Sequence, residues 1–253
     1  MSNAAKDGSG DNDRIGQTAS FHTTSWKMVL QAGQPDCAEA KAALELLCRI
    51  YWKPLCVFAQ ARGWPLHDAQ DATQGFFKRL LSNSGIARAD PAKGKFRTYL
   101  LSSFKHFLAE EWQRNNAQKR GGNVSFVSYD EMAGADSTLS EAARSENPDA
   151  LFERQYATAL IEASLQRLEY EHQSADKSAK FAALKPLMTC GDDKVPAAEL
   201  GAQLGVSEGA ARVAVYRLRR RYWEILQQEV LRTVEEPADV EEELRHIRRV
   251  LSS

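Results

Sequence analysis

The segment that most constrains the fold of this 253-residue chain is Val195–Arg221, VPAAELGAQLGVSEGAARVAVYRLRRR, which predicts a helix-turn-helix. Pro196 suits the start of a first helix, because proline lacks an amide hydrogen that would have no partner there. Gly205 is a suitable end for that helix, and the Ser207 hydroxyl can cap the next one. The two helices and the turn between them are therefore predicted from local signals alone.

The second helix of this segment has an apolar side and a basic side. Its apolar residues recur at helical spacing and should pack inward: Ala211, Val215 and Leu218. The outer side then carries Gly209, Arg212, Val213, Tyr216, Arg217 and Arg220. Such a helix fits the major groove of DNA, where arginine reaches guanine edges or phosphates. The alternative is a short helical hairpin with a solvated basic face.

Charge is sorted along the chain although the net charge is only −1. Basic residues concentrate in 88–120 and 212–221, and acidic residues in 130–153 and 235–243. Binding to nucleic acid would therefore have to come from local patches, and this pattern predicts two anion-binding modules on one chain.

The hydrophobic pattern predicts an all-α chain, because no segment alternates convincingly with period two. We expect two helical domains joined by a flexible acidic linker, and Pro54 should kink or restart the first long helix. The expected parts are a disordered tail (1–24), a first helical domain (25–122), the linker (123–147), a second helical domain (148–236) and a C-terminal amphipathic helix (237–253). The apolar side of that last helix is expected to be Val240, Leu244, Ile247 and Leu251.

Several classes of protein are not supported by the sequence. The four cysteines have no CxxC spacing, so we expect no metal, and Cys48 and Cys56 should be small buried hydrophobes. Neither a nucleophile–histidine motif nor a GxxxxGK[ST] loop occurs, so we expect no enzyme, no cofactor and no small-molecule substrate. No apolar run has membrane-spanning length and no signal peptide is recognised, which predicts a cytoplasmic protein.

The predicted helix 96–119 mixes aromatic and basic residues at its start. Phe96 and Tyr99 lie among Lys95, Arg97 and Lys105. Single-stranded nucleic acid needs this combination, since aromatic rings stack on bases and cations hold the backbone. Burial in the core is the alternative for any one aromatic, and it is what we expect for Phe104 and Phe107.

From about Ser25 to its end, the chain resembles a bacterial RNA polymerase sigma factor of the extracytoplasmic-function type of the sigma-70 family. Three segments carry the resemblance in order and spacing: DAQDATQGFFKRLL (Asp68–Leu81), GKFRTYLLSSFKHFLAEEW (Gly94–Trp112) and LGVSEGAARVAVYRLRRRYWEIL (Leu204–Leu226). The tail TVEEPADVEEELRHI (Thr233–Ile247) is similar to a subgroup frequent in planctomycete-like bacteria.

The resemblance implies a non-catalytic promoter-specificity subunit whose partners are core RNA polymerase, through its clamp helices and flap, and promoter DNA. The residues that match polymerase contacts are Asp68, Asp71, Gln74 and Arg79. The residues that match the strip on the melted minus-ten element are Lys95, Phe96, Arg97, Tyr99, Lys105 and His106, and the loop Ser82–Lys95 matches one that captures a flipped base. The residues that match the face on the duplex minus-thirty-five element are Ser207, Glu208, Arg212, Val213, Tyr216, Arg217 and Arg220.

The chain departs from the family pattern in places, and other functions stay open. Gly75 stands where the family often has Glu, His106 where it often has Asn, and Lys177–Asp193 is longer than usual. One alternative is a stand-alone helix-turn-helix regulator with an N-terminal dimerisation or sensing module, and another is a protein that sequesters a partner. Control by an anti-sigma factor, by a protein kinase, or by the C-terminal helix folding back is left open as well.

Overall fold

The computed structural model describes residues 38–82, 95–119, 146–173, 175–189, 196–234 and 236–252, and within these ranges it contains α-helices and no strand. This agrees with the predicted all-α class. The α-helices of the described part are α1 (Ala38–Ala61), α2 (Leu66–Ser82), α3 (Phe96–Lys119), α4 (Pro148–Glu171), α5 (Ala175–Leu184), α6 (Ala197–Leu204), α7 (Glu208–Leu231) and α8 (Val240–Ser252).

One helix start and one proline inside a helix test the local signals in the sequence. Asn147 caps α4, because its Oδ1 accepts a hydrogen bond from the Asp149 amide at 2.9 Å, and Pro148 takes the first helical position. Of the kink or restart predicted at Pro54, the restart does not occur, since α1 runs through this residue as one helix. Residues on both sides of Pro54, such as Tyr51 and Leu55, are buried in the same core, and this packing holds the helix together across the missing hydrogen bond.

The larger apolar core is built on aromatic residues of α1, α2 and α3. The Phe76 ring lies 5.0 Å from that of Phe104 and 5.7 Å from that of Phe107, both in edge-on geometry. Phe104 is fully buried and Phe107 nearly so, as the sequence analysis predicts for these two residues. These contacts fix α3 against α2 and so set the position of the basic start of α3.

The first half of α4 belongs to this same core, together with the end of α7 and part of α8. Phe152 and Tyr156 of α4 are buried against α1, where the Tyr156 ring stacks on that of Tyr51 at 5.6 Å. A smaller core joins the second half of α4 to α5, α6 and α7. The apolar cores thus do not divide at 123–147, and the predicted separation into two domains is not confirmed by this packing.

Helix α8 lies over α4 and α7 with its apolar side inward. Leu244 and Ile247 are buried as predicted, whereas Leu251 is exposed and its neighbour Val250 is half-buried against the core. A buried residue of α8 that the sequence analysis did not place is Glu243, which is 1 % exposed. A carboxylate so deeply buried needs a charged partner.

Candidate nucleic-acid interface

The turn between α6 and α7 has the geometry of a helix-turn-helix. Gly205 ends α6 with φ at 66°, a conformation that a side chain would strain, and the Val206 amide donates to the Gly201 carbonyl at 2.9 Å. Ser207 then caps α7, because its Oγ accepts from the Ala210 amide at 3.3 Å. Pro196 is the residue immediately before α6 rather than its first helical residue.

The inner side of α7 packs as its sequence predicts. Ala211, Val215 and Leu218 are buried in the smaller core, against residues such as Leu200 of α6 and Phe181 of α5. This packing fixes the rotation of α7 about its axis. All the residues predicted for its outer side are exposed: Gly209, Arg212, Val213, Tyr216, Arg217 and Arg220.

The arginines of α7 divide into outward-facing and structural ones. Arg219 donates to the Leu187 carbonyl at 2.7 Å, and Arg221 makes two hydrogen bonds with the Glu171 carboxylate, at 2.7 and 2.8 Å. That contact lowers the pKa of Glu171 and raises the pKa of Arg221. Part of the run of arginines therefore holds α7 to α4 and to the 3₁₀ turn Lys185–Leu187 that follows α5.

The outward-facing arginines of α7 have weak or no partners. Arg212 pairs with Glu208 at 2.9 Å and Arg220 with Glu224 at 3.2 Å, both one helical turn apart and exposed. Such exposed pairs are worth under about 1 kcal/mol and can be exchanged for phosphate. Arg217 makes no ion pair with any residue that the structure describes. Beside it Tyr216 is 64 % exposed, which leaves a cationic and aromatic strip open to a ligand.

An open groove of about 610 Å³ runs between α5 and α7 beside this strip. Lys177 and Lys180 of α5 and Arg217 of α7 line it, together with the apolar side chains of Phe181 and Val213. The outward face of α7 is thus flanked by further cations on α5. Together they form a basic surface wider than a single helix, which suits a polyanion with charges spaced along its length.

The close approach of α6 to the turn gives a direct test of this geometry. A Cβ on Gly201 would lie 2.8 Å from the Val206 carbonyl oxygen, so Gly201→Ala should lower the free energy of unfolding by about 1–3 kcal/mol. Gly209 has nothing within 4 Å, so Gly209→Ala should be neutral or stabilising by up to about 1 kcal/mol. Urea denaturation of both variants measures the difference, and equal stabilities would contradict this packing.

The strip predicted on α3 is only partly at the surface. Phe96 is 1 % exposed and its ring lies 5.5 Å from that of Tyr51, so in this conformation it cannot stack on a base. Arg97 is also buried: its guanidinium pairs with Glu243 of α8, and its Nε lies 3.0 Å from the Glu153 carboxylate. The assignment of Phe96 and Arg97 to an exposed nucleic-acid surface is therefore wrong for this conformation, because both lie in the register of the α3 apolar stripe.

The remaining residues of that strip differ in their surroundings. The Lys95 Nζ lies 2.8 Å from Glu242 and 3.2 Å from Glu243 of α8. Lys105 pairs with Asp149 at 2.8 Å, and its Nζ lies over the Phe58 ring at 5.6 Å. Tyr99 is half-buried and His106 is exposed.

The face of α2 predicted for polymerase contact is open. Asp68, Asp71 and Gln74 are exposed, and the Asp71 carboxylate lies 3.2 Å from Nδ1 of His67. Arg79 instead forms an ion pair with Glu110 of α3, which raises the pKa of Arg79 and lowers that of the carboxylate. Its guanidinium also lies 5.8 Å from the centre of the Phe107 ring.

Some predictions fall on residues that the structure does not describe. These are the tail 1–24, the base-capturing loop over 83–94, and the linker as far as residue 145. Of the cysteines, Cys56 is buried and Cys48 half-buried, and burial raises the pKa of both thiols.

Sequence reasoning missed a cluster of charges that joins α3, α4 and α8. Arg97 lies at its centre, above the Tyr156 ring at 5.4 Å, between Glu153 and Glu243. Burial tends to raise the pKa of Glu243, but the hydrogen bond and charge of Arg97, with Lys95 nearby, outweigh it and hold that pKa below its ordinary value. A readable signal existed, since Glu243 precedes Ile247 by four residues and so lies on the apolar side of α8.

Gly75 also has a structural reason that the sequence did not reveal. A Cβ at this position would lie 3.3 Å from Cζ of Phe107, tighter than most such contacts. The loss of helix propensity at Gly75, up to about 1 kcal/mol, is therefore accompanied by close packing of α2 on α3.

Comparisons with protein-family models, with curated proteins and with solved structures found no match. Within the described residues, no group of three His, Cys, Asp or Glu side chains could hold a metal ion. None of the helices in those residues combines the length and apolarity that crossing a membrane requires.

Proposed function

We propose that this protein is a sigma-type transcription initiation factor, which binds core RNA polymerase and directs it to promoters through minus-ten and minus-thirty-five elements. The observation that supports this most is the helix-turn-helix of α6 and α7, whose outward face carries Arg212, Tyr216, Arg217 and Arg220. Arginines in this position of a groove-binding helix can contact guanine edges or phosphates.

A second part of the proposal concerns α2 and α3. The exposed Asp68, Asp71 and Gln74 offer a polar face to the polymerase, and Tyr99, Lys105 and His106 offer stacking and charge to melted DNA. These residues lie in the N-terminal half of the chain, whereas the helix-turn-helix lies in the C-terminal half. The proposal therefore assigns one promoter element to each half.

This assignment requires the two halves to separate when both elements are bound. Promoter positions minus ten and minus thirty-five are about 25 base pairs apart, which is about 85 Å at 3.4 Å per base pair. Helices α1 and α4 pack directly on each other in the present structure. The chain between Lys119 and Pro148 could span about 100 Å when extended, which is long enough for both contacts.

A second candidate function is a stand-alone helix-turn-helix regulator that uses duplex DNA alone. The shared core of α1–α4 favours it, because a single compact body needs no separation to present α7 to one duplex site. In that case α1–α3 would serve as a dimerisation or sensing module. The two candidates differ in their dependence on the polymerase.

Run-off transcription with purified core RNA polymerase separates the two candidates. We expect promoter-dependent transcripts only when the protein is added, and Arg217→Ala should reduce them by weakening duplex binding by about 1–3 kcal/mol. Arg248→Ala is the matched control, since it removes an exposed arginine from α8. Duplex binding without any polymerase association or transcript would favour the stand-alone regulator.

A further inference from the structure

Two carboxylates of helix α8 lie against the basic residues at the start of α3. Glu243 pairs with Arg97 and lies 3.2 Å from the Lys95 Nζ, and Glu242 lies 2.8 Å from the same Nζ. The charges that α3 would offer to a nucleic-acid backbone are thus taken up by residues nearly 150 positions later in the chain.

We propose that α8 is an intramolecular competitor of nucleic acid, which covers the Lys95–Arg97 site until the helix is displaced. Carboxylates and phosphates present the same charge and the same kind of acceptor oxygen to lysine and arginine. A phosphate could therefore replace Glu242 and Glu243 on Lys95 and Arg97 once α8 moves away. This inference rests on one part of the proposed function, which is that α3 binds single-stranded DNA.

The attachment of α8 is suited to reversible docking. Its apolar contact is made chiefly by Leu244 and Ile247, and a further polar contact joins His246 to Glu153 at 2.8 Å. The outward side of α8 is charged, with Glu241 and Arg245 exposed. A 13-residue helix is marginal on its own in water, so α8 depends on this docking surface for its helical structure.

The position of α8 in the chain permits its release without unfolding α7. A short connection that includes the 3₁₀ turn Pro237–Asp239 separates the two helices. Displacing α8 would expose Arg97 and Lys95 on one side and Glu153 of α4 on the other. The same movement removes one of the contacts that hold α3 and α4 together, so release of α8 and separation of the two halves favour each other.

The test compares binding of a short, mixed-sequence single-stranded DNA by Glu242→Gln/Glu243→Gln and by wild type, using fluorescence anisotropy at fixed salt. A site that is open in fewer than one molecule in ten binds more than tenfold more weakly than a permanently open one, so we expect at least about tenfold tighter binding by the variant. The control is Glu45→Gln/Glu241→Gln, which removes two exposed carboxylates outside the contact. Because its net charge changes equally, any general electrostatic gain appears in both variants.

Two further measurements keep the test decisive. If the double variant does not fold, Glu242→Gln alone, whose side chain is 62 % exposed, should still bind about two- to threefold more tightly than wild type. In wild type, adding the oligonucleotide should speed hydrogen exchange of α8 amides. Equal, measurable binding by wild type, by Glu242→Gln/Glu243→Gln and by its control would overturn the competitor role and leave the proposed function intact. No binding by any of them would overturn both the competitor role and the single-strand role of α3.

Discussion

Phe152→Ala should lower the free energy of unfolding by about 3–5 kcal/mol and should weaken α1–α3 as much as α4. Phe152 is fully buried in the core that α4 shares with the first three helices. Truncating it leaves a cavity that both parts of the chain line, so the loss cannot be confined to the second half. Urea denaturation gives the total, and hydrogen exchange gives its distribution over the helices.

Tyr170→Ala is the control for this prediction. Tyr170 lies on the same helix but is 73 % exposed, so its truncation should change stability by less than about 0.5 kcal/mol. If Phe152→Ala left the amide protection of α1–α3 unchanged, the halves would be energetically independent. That result would return the chain to the two-domain organisation predicted from its sequence.

The strength of this shared core matters for the proposed function. Separating α1 from α4 exposes Tyr51, Phe152 and Tyr156, and exposing one such side chain costs about 1.5–3 kcal/mol. The polymerase and the promoter would have to supply this free energy through their contacts with the separated halves. A weakened core, as in Phe152→Ala, should therefore lower the barrier to forming a polymerase complex even while it destabilises the free protein.

The helix-turn-helix could be predicted closely because its signals are local. Gly205, Ser207 and the spacing of Ala211, Val215 and Leu218 each act within one or two helical turns, and each behaves in the structure as its chemistry requires. Helix α3 was likewise placed correctly from Phe96 to Lys119. In these two segments, local sequence therefore determined where the helices lie and which apolar residues face inward.

The sequence did not reveal which helices cover one another. Arg97 precedes Leu100 and Leu101 by three and four residues and so lies on the apolar side of α3, yet its position beside Lys95 and Phe96 favoured an exposed nucleic-acid surface. Glu243 occupies the equivalent kind of position on α8. Two opposite charges, each on the apolar side of its helix, indicate a buried ion pair. Nothing in either segment alone says that they meet, because that depends on how α8 packs against the start of α3.

Arg97→Met should be among the most damaging single substitutions in the described residues, with a loss of about 3–5 kcal/mol at neutral pH. It leaves the Glu243 carboxylate buried, with Lys95 as its nearest remaining cation. Removing both charges in Arg97→Met/Glu243→Leu should restore much of the stability, since apolar residues of similar volume can replace a buried pair. The double-mutant cycle from urea denaturation measures this coupling, and additive losses would contradict a direct pair.

The pH dependence of the stability of these variants distinguishes the effect of a buried charge from that of lost packing. In wild type the pKa of Glu243 lies below its ordinary value of about 4.3, so the pair stabilises the fold above that pH and the stabilisation is lost as pH falls through the lowered pKa. In Arg97→Met, burial is opposed chiefly by Lys95 and should raise the pKa of Glu243 above that value. The loss of stability of Arg97→Met relative to wild type should then be largest at pH 7 and shrink towards pH 4, where the carboxyl takes up a proton.

Arg97→Met/Glu243→Leu lacks this carboxyl, so its stability relative to Arg97→Met should rise with pH over the same interval. A deficit of Arg97→Met that is the same at pH 4 and pH 7 would mean that Arg97 acts through packing alone.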